Sequence, residues 1–353
     1  KMMANFQFNS DKACCISDIH IGVHQNSQMW LDITAQWADL LIKELQDKSI
    51  TDIIICGDLF HYRDEISVNT LHAVTDIMYK FKDFNIIMLV GNHDAYYKDR
   101  SDINSMSILS GWSNITVADD ITSVKQFNRT YTFAPWEPDF NKIPKCDILF
   151  GHFEIESFKM NHFKICTTGI KTKDLLTKAS TIITGHFHAR EERTYKNGNI
   201  LYLGNPFHMD FGNVGEIKGY YILDLKTSGY TFYENTVSPK HRKILLSQLV
   251  KQGDITPEVK KSFNNAIVRF IVDKNIAPDE VDKLLKLFAS YNPLTMNVDY
   301  AINFDKFGMD ESEGHDLSGV SIEAAIEEFV NLLDIEDKKE IIDYTTDLYK
   351  RAK

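Results

Sequence analysis

The 353 residues suffice for a large core with one or two small additions, and 43% hydrophobic with 25% charged residues excludes wholesale disorder. A net charge of −11 argues against holding nucleic acid by bulk electrostatics alone; such a partner would need a local basic patch, bound cations or a second subunit. No apolar run approaches the ~18 residues of a membrane span, and the N-terminus has no signal-type apolar stretch.

Lys12–Ser17 reads as a strand that stops at Asp18–Ile19–His20. Trp30, Leu31, Ile33, Trp37, Leu40, Leu41 and Leu45 then recur at helical spacing, which predicts an amphipathic helix from Trp30 to about Lys48. Ile53–Cys56 is a second buried strand closing on Gly57–Asp58, and Ser67 is placed to cap a helix from Val68 to about Lys82. Ile86–Val90 runs into Gly91–Asn92–His93–Asp94. Strand–helix–strand–helix–strand predicts right-handed parallel crossovers, an α/β arrangement whose ligands gather beyond the carboxyl ends of the strands.

From Asn114 the texture changes to short strands: Ile115–Val117, Thr130–Phe133 and Asp147–Phe150, the last closing on Gly151–His152. A helix over Thr172–Lys178 precedes Thr181–Thr184, which closes on Gly185–His186–Phe187–His188. Asn197–Gly198 marks a tight hairpin turn before Ile200–Leu203. Tyr220–Leu225 and Tyr230–Tyr233 look like the closing antiparallel strands of a second sheet packed on the first. The fold class is therefore a two-sheet α/β sandwich over residues 1–240.

Beyond Pro239, strand Asn265–Val272, helix Pro278 to about Ser290 and strand Met296–Phe304 suggest a small β-α-β capping domain over residues 241–305. The basic run Lys240–His241–Arg242–Lys243 reads as a solvated turn, with phosphate contact the second reading. Residues 306–353 are expected to hold an acidic linker (Asp305–Asp316) and two short helices. The first carries Ile322, Ala325, Ile326, Phe329, Val330 and Leu333, and the second Ile341, Ile342, Tyr344, Leu348 and Tyr349. The five cysteines, two adjacent and most in apolar runs, read as buried free thiols of a reducing cytoplasm.

Five of these segments end an apolar run on a polar, metal-type residue. Asp18 and His20 stand at i and i+2, on one face of an extended segment, as do His186 and His188. Asp58, Asn92 and His152 complete the set. One metal needs only four to six of these groups, whereas two metals sharing a bridging carboxylate use them all. Mixed oxygen and nitrogen donors without a thiolate favour manganese, magnesium or iron over structural zinc; many imidazoles serve magnesium poorly, so manganese comes first, with magnesium a possible substitute. Two such ions ~3.5–4 Å apart would clamp a phosphate and activate water for in-line displacement. Chance scatter of seven such residues over five strand ends is the weaker reading. His24, His162 and His208 have no companion at ligand spacing and read as structural or exposed. Pro135–Trp136 could line the site, but a buried aromatic after a strand reads first as core, and Glu154 as solvated or as an acceptor behind a ligand.

The order D-x-H, GD, GNHD, GH, GHxH resembles the calcineurin-like metallophosphoesterase superfamily. Within it, GDLFH (Gly57–His61), GHFEI (Gly151–Ile155), GHFHA (Gly185–Ala189) and YLGNP (Tyr202–Pro206) are most similar to the Mre11/SbcD nucleases. The C-terminal half looks like their compact phage-encoded version, the small subunit of a recombination endonuclease. The resemblance implies Asp18, His20 and His188 on one metal, Asn92, His152 and His186 on the other, and Asp58 bridging. It implies His93 as the catalytic histidine, which an imidazole beside a ligand also suits as general acid. His61 would touch DNA or orient a ligand, or be a loop histidine fixed by packing; Asp94 would orient His93 or cap the next segment.

The implied activity is manganese-dependent exonuclease and single-strand endonuclease cleavage of DNA, in the cytoplasm or that of a host. The implied assembly is a homodimer, built on the helices Trp30–Lys48 and Val68–Lys82, with a Rad50/SbcC-like ATPase on the C-terminal helices. No GxxxxGK[ST] stretch is present, so ATP hydrolysis would fall to that partner. Three rivals stand beside this reading. A Ser/Thr phosphatase typically has GDxVDRG and GNHE, unlike Asp58–Leu59–Phe60–His61 and Asp94. A small-phosphoester or cyclic-nucleotide phosphodiesterase would leave the residues after Pro239 without a role. A non-catalytic scaffold for a DNA-bound ATPase would not need the full donor set.

Overall fold

In the computed structural model the apolar runs pair edge to edge; residues 6–160, 164–252, 256–273, 276–300, 330 and 337–352 are described. In chain order the first half comprises β1 (Lys12–Ile16), α1 (Gln28–Asp47), β2 (Asp52–Ile55), α2 (Val68–Lys80), β3 (Asn85–Leu89) and β4 (Ile115–Ala118). Then follow β5 (Thr122–Gln126), β6 (Arg129–Ala134), β7 (Ile148–His152), α3 (Thr172–Leu175), β8 (Thr181–Gly185), β9 (Glu191–Tyr195) and β10 (Gly198–Tyr202). The chain returns through β11 (Gly219–Asp224) and β12 (Tyr230–Glu234). Beyond these lie β13 (His241–Leu245), α4 (Leu246–Gln252), α5 (Pro257–Phe263), β14 (Ile267–Val272), α6 (Pro278–Ala289), β15 (Thr295–Tyr300) and α7 (Lys338–Ala352).

Among the described residues these strands make two six-stranded sheets, β12-β11-β1-β2-β3-β4 and β5-β6-β7-β8-β10-β9, and a three-stranded one, β13-β14-β15. The expected mixed α/β architecture with two large sheets is the one observed. Successive residues of a strand face opposite ways, and β2 divides its isoleucines accordingly. Ile53 and Ile55 join Trp37, Leu41, Val74 and Ile77 of the helices. Ile54 faces the second sheet with Ile87, Leu89, Tyr131, Phe133, Phe150, Ile183 and Leu201. Phe133 and Phe150 stack at 4.9 Å between the sheets. Because the first sheet is covered on both faces, its parallel strands are continuous apolar runs rather than alternating ones.

Three expectations change. β11 and β12 do not close the second sheet: β11 pairs antiparallel with β1, setting Cys14 against Ile222, and β12 pairs with β11. The outer edge of β1 would otherwise carry unpaired amides and carbonyls in the middle of the protein. β4, grouped by its texture with the second-half strands, likewise extends the first sheet, parallel to β3. The run from Lys240 is also not a solvated turn. His241, Arg242 and Lys243 open β13, which lies parallel to β14, and His241 is buried. With α4 and α5 before β14 and α6 before β15, this sheet has its own core of Phe263, Val268, Phe270, Val281 and Phe288. Its tie to the larger sheets is aromatic: His241 stacks 5.7 Å from Trp30, and Arg269 lies over Phe211.

Smaller readings stand as expected. Ser67 accepts from the Thr70 N–H at the start of α2, and all five cysteines are free. The acidic linker, most of the first terminal helix and His162 lie outside the described residues.

Asp52, fully buried at the start of β2, gathers the N-terminal segment. Its carboxylate accepts from the Asn9 and Ser10 amides at 2.8 and 3.0 Å and from Asn85 Nδ2 at 2.7 Å. Asp52→Ala leaves these donors without their acceptor and is expected to cost about 3 kcal/mol, read as a lower urea midpoint at unchanged m-value.

Candidate metal centre

The parallel strands β1, β2, β3, β7 and β8 deliver their carboxyl ends to one side of the two sheets, and the polar residues that follow or end them meet there. His20 Nε2 lies 2.9 Å from His188 Nε2 and 3.6 Å from Asp58 Oδ2. His152 Nε2 lies 3.3 Å from the same Asp58 oxygen and 2.9 Å from Asn92 Oδ1, which is also 2.9 Å from His186 Nδ1. Donor atoms of Asp18, His20 and His188 fall within 4.8 Å of one another, as do those of Asp18, Asp58 and His152. All seven side chains are thus brought into one pocket. Asp58 stands between a set made of Asp18, His20 and His188 and a set made of Asn92, His152 and His186.

The backbone is bent to achieve this. Asp18, His20, Asp58 and His186 have φ of 55°, 51°, 54° and 95°, in the left-handed region that side chains with a Cβ rarely adopt. Four such residues at one site, each costing of order 1–3 kcal/mol, point to function rather than to chain economy. Hydrogen bonds hold them there. The Asp18 N–H donates to the Gly57 carbonyl, the His20 N–H to the Asp58 carbonyl, and the His186 N–H to the Asp18 carboxylate.

Beneath them Asp94, wholly buried, accepts from the amides of Asp58 (2.8 Å), Gly91 (2.9 Å) and Phe60 (2.9 Å). It therefore ties the GD loop to the GNHD loop, and neither orients His93 directly nor caps the next segment. The glycines make room for neighbouring donors. A Cβ on Gly57 would lie 2.3 Å from His152 Nδ1, and one on Gly91 2.2 Å from Asp58 Oδ1.

The donor set fits a cation. His152 Nδ1–H donates to the Cys56 carbonyl at 2.7 Å, so in the neutral ring Nε2 presents a lone pair to the oxygens of Asn92 and Asp58. Lone pairs facing one another in a buried pocket need a positive charge between them, a proton or a metal ion. Burial alone would lower the His152 imidazole, but Asp58, Asp18 and the Cys56 carbonyl outweigh it and raise it to about 9. Burial, with the Asp58 charge added, pushes Asp18 up to about 7 against the pull of His152. Burial and Asp58 push Asp94 to about 7 as well, opposed by the amides it accepts from.

Asp58 goes the other way: burial would raise it, yet His152 and His20 hold it well below the usual carboxylate range. Burial keeps His20, His186 (about 3) and His188 (about 4) neutral, with lone pairs free. Three buried carboxyls around one protonated and three neutral imidazoles are the chemistry of a divalent-cation site with nitrogen and oxygen donors. Asp18, His20 and His188 could hold one ion and Asn92, His152 and His186 a second, with Asp58 between.

His93 belongs to neither set but packs against one: its ring lies 4.7 Å from that of His20, and donor atoms of His20, His61 and His93 also fall within 4.8 Å of one another. Its N–H donates to Asp58 Oδ1 (2.8 Å) and its Nδ1–H to the His61 carbonyl (2.6 Å), which leaves Nε2 as the free nitrogen. His61 stacks on it at 5.4 Å and brings Nδ1 to 3.3 Å from His20 Nδ1, while burial lowers its pKa to about 4. Trp136 is not simply core. Its ring lies 5.0 Å from that of His186, and its Nε1–H donates to the Lys98 carbonyl. Glu154 Oε2 is 3.9 Å from His186 Nε2. Lys218, buried and paired with Glu216, donates to the His188 carbonyl at 2.6 Å. Nothing local marked Lys218; Trp136 carried a signal in its place just past β6, which ends at Ala134.

The chain matches the calcineurin-like phosphoesterase family over residues 12–190. It is similar to exonuclease subunit 1 of Enterobacteria phage T4, 26% identical over 96% of this chain and 98% of that protein. It is also similar to the D subunit of the SbcCD nuclease of Staphylococcus saprophyticus, 22% identical over 61% of this chain and 66% of that protein. A solved archaeal phosphodiesterase superposes with a TM-score of 0.36 at 16% identity, covering 64% of this chain and 99% of that one.

Replacing Asp94 by Asn keeps its shape but turns an amide NH₂ toward at least one of three backbone donors. The expected loss is about 2–4 kcal/mol in metal-free buffer, with weaker divalent-cation binding by calorimetry because the GD and GNHD loops separate.

Proposed function

The chain belongs to the calcineurin-like phosphoesterase family, and from that premise we propose that it is a two-metal DNA nuclease, manganese-dependent, with exonuclease and single-strand endonuclease activity. The observation that supports the reading most is that one Asp58 oxygen faces both His20, grouped with Asp18 and His188, and His152, which shares the Asn92 oxygen with His186. The end-to-end likeness to a phage exonuclease subunit supports DNA as substrate over a small phosphoester, since it includes the residues beyond 240. In this reading residues 1–240 are the nuclease domain, 241–305 a capping and DNA-binding domain, and 306–353 a linker and helices for a partner ATPase. Both similar proteins are named as subunits, which supports such a partner.

When bound, two divalent cations supply charge that neutralises the phosphodiester and activates water. The protein's own groups do the rest. Asp18, His20 and His188 would hold one ion and Asn92, His152 and His186 the other, with Asp58 placed to serve either set. The Cys56 carbonyl fixes the tautomer and ring plane of His152. His93, its Nδ1–H anchored on the His61 carbonyl, offers Nε2 toward the leaving oxygen and carries the proton that this oxygen needs. Trp136 covers the His186 side and limits water there.

The test compares a DNA oligonucleotide with bis-p-nitrophenyl phosphate, whose leaving group departs as a stable anion and needs no acid. With manganese, Asp58→Ala is expected to abolish both reactions. His93→Ala is expected to slow DNA cleavage about 10²–10⁴-fold while sparing most of the small diester's turnover. A wild-type protein that turns over neither substrate would favour the scaffold reading, DNA cleavage that survives Asp58→Ala would overturn the two-metal assignment, and turnover of the small diester without DNA cleavage would favour the phosphodiesterase reading.

A further inference from the structure

Arg242 belongs to the basic run that the metal chemistry leaves unused. It follows His241, which packs against Trp30 and His208; one residue on along an extended strand, a side chain faces the other way. There it lines a cavity of about 470 Å³ between the segment Thr236–Lys240 and the start of β14. Lys240 and Lys261 join it, with Glu258 the one acid in the lining, and Ser238, Ser262, Asn264 and Asn265 add neutral hydrogen-bonding groups. Lys240 is engaged by Glu234 at 3.0 Å.

Arg242 is half-buried, and its Nε is buried with no acceptor among the described residues. Burial alone acts on its pKa, which it lowers, and no carboxylate compensates. A guanidinium withdrawn from water without an acceptor is costly, and natural sites tolerate it where a ligand supplies the acceptor. Its fork of donors matches phosphate oxygens, and this lining is cationic in a chain of net charge −11.

We propose that the cavity around Arg242 is an anion site that takes a backbone phosphate of the DNA strand. The inference rests on the nuclease reading above and adds to it a specific phosphate anchor away from the metal centre. Arg242 would supply the charged fork, Lys261 a second cation at the rim, and Ser262 and Asn264 neutral contacts. Such a contact carries no base information; it fixes where along the strand the chain sits relative to the metals.

The test is binding of a fluorescent single-stranded oligonucleotide, without metal, across a salt series. Arg242→Gln should weaken binding about tenfold or more at low salt and reduce the slope of log K against log salt by about 1. Turnover of bis-p-nitrophenyl phosphate should stay unchanged, since that diester carries no flanking phosphate. Lys261→Gln, an exposed substitution that does not threaten folding, should move affinity and slope the same way by less, and carries the test if Arg242→Gln fails to fold. Unchanged DNA affinity and slope in a variant that still turns over the small diester overturns the inference and leaves the nuclease reading standing. Calorimetric binding of inorganic phosphate that Arg242→Gln abolishes without altering the DNA slope also overturns it, in favour of a free-phosphate site. A wild-type protein that turns over the small diester but neither binds nor cuts DNA overturns both.

Discussion

The Asp94 carboxylate is the constraint on which the metal-type residues depend. It sits below them, out of solvent, and takes the amides of Asp58, Phe60 and Gly91. Two loops from neighbouring strands are thereby locked to each other before any metal is considered. On that floor the second tier rests. The Asp58 carbonyl takes the His20 amide, the Gly57 carbonyl takes the Asp18 amide, and the Asp18 carboxylate takes the His186 amide. Each left-handed residue is thus held by a bond to the next loop, which is how a strained backbone persists in a folded protein.

The same arrangement governs the electrostatics. Carboxyls and imidazoles packed this closely cannot all take their ordinary charge, so the pocket splits them. Asp58 and His152 form an ion pair at its centre, Asp18 is pushed toward neutrality, and the other imidazoles stay unprotonated. This is a pocket waiting for charge from outside the chain. It is also an argument against a purely structural role: a core built for stability would be at least as stable with apolar residues of similar volume.

Much of this is legible in the residues because parallel strands deliver their carboxyl ends to one edge. Once Cys14–Ile16, Ile53–Cys56 and Ile86–Val90 are read as neighbouring buried strands, Asp18, Asp58 and Asn92 must come together. What stays hidden depends on choices that local pattern does not encode. The partner of β11 is decided by which sheet edge lies open after β10, a long-range fact. β13 escapes a reading by periodicity because only Ile244 and Leu245 of its five residues are apolar, the rest being basic. The left-handed turns at Asp18, His20 and Asp58 fall on residues that are not glycine, so no turn signal announces them. A glycine just before Asp58 suggests clearance for a metal, whereas Gly57 clears the His152 ring. Trp136 and Lys218 reach the site only through the packing of distant segments.

The chain's overall charge and its phosphodiester chemistry are reconciled by distance. At physiological salt a surface charge is felt over about 8 Å, so the sum of −11 says little about any one patch. What matters to a strand of phosphates is the local sign at each point it touches. At the strand ends that sign would be set by bound cations, because the buried carboxyls otherwise make the pocket hostile to an anion. At Arg242 it is set by a guanidinium that no acid among the described residues pairs with. In the proposed reading a strand of phosphates would be held at a few fixed places, by bound cations at one and by Arg242 at another, unlike a protein that binds through a broad basic face.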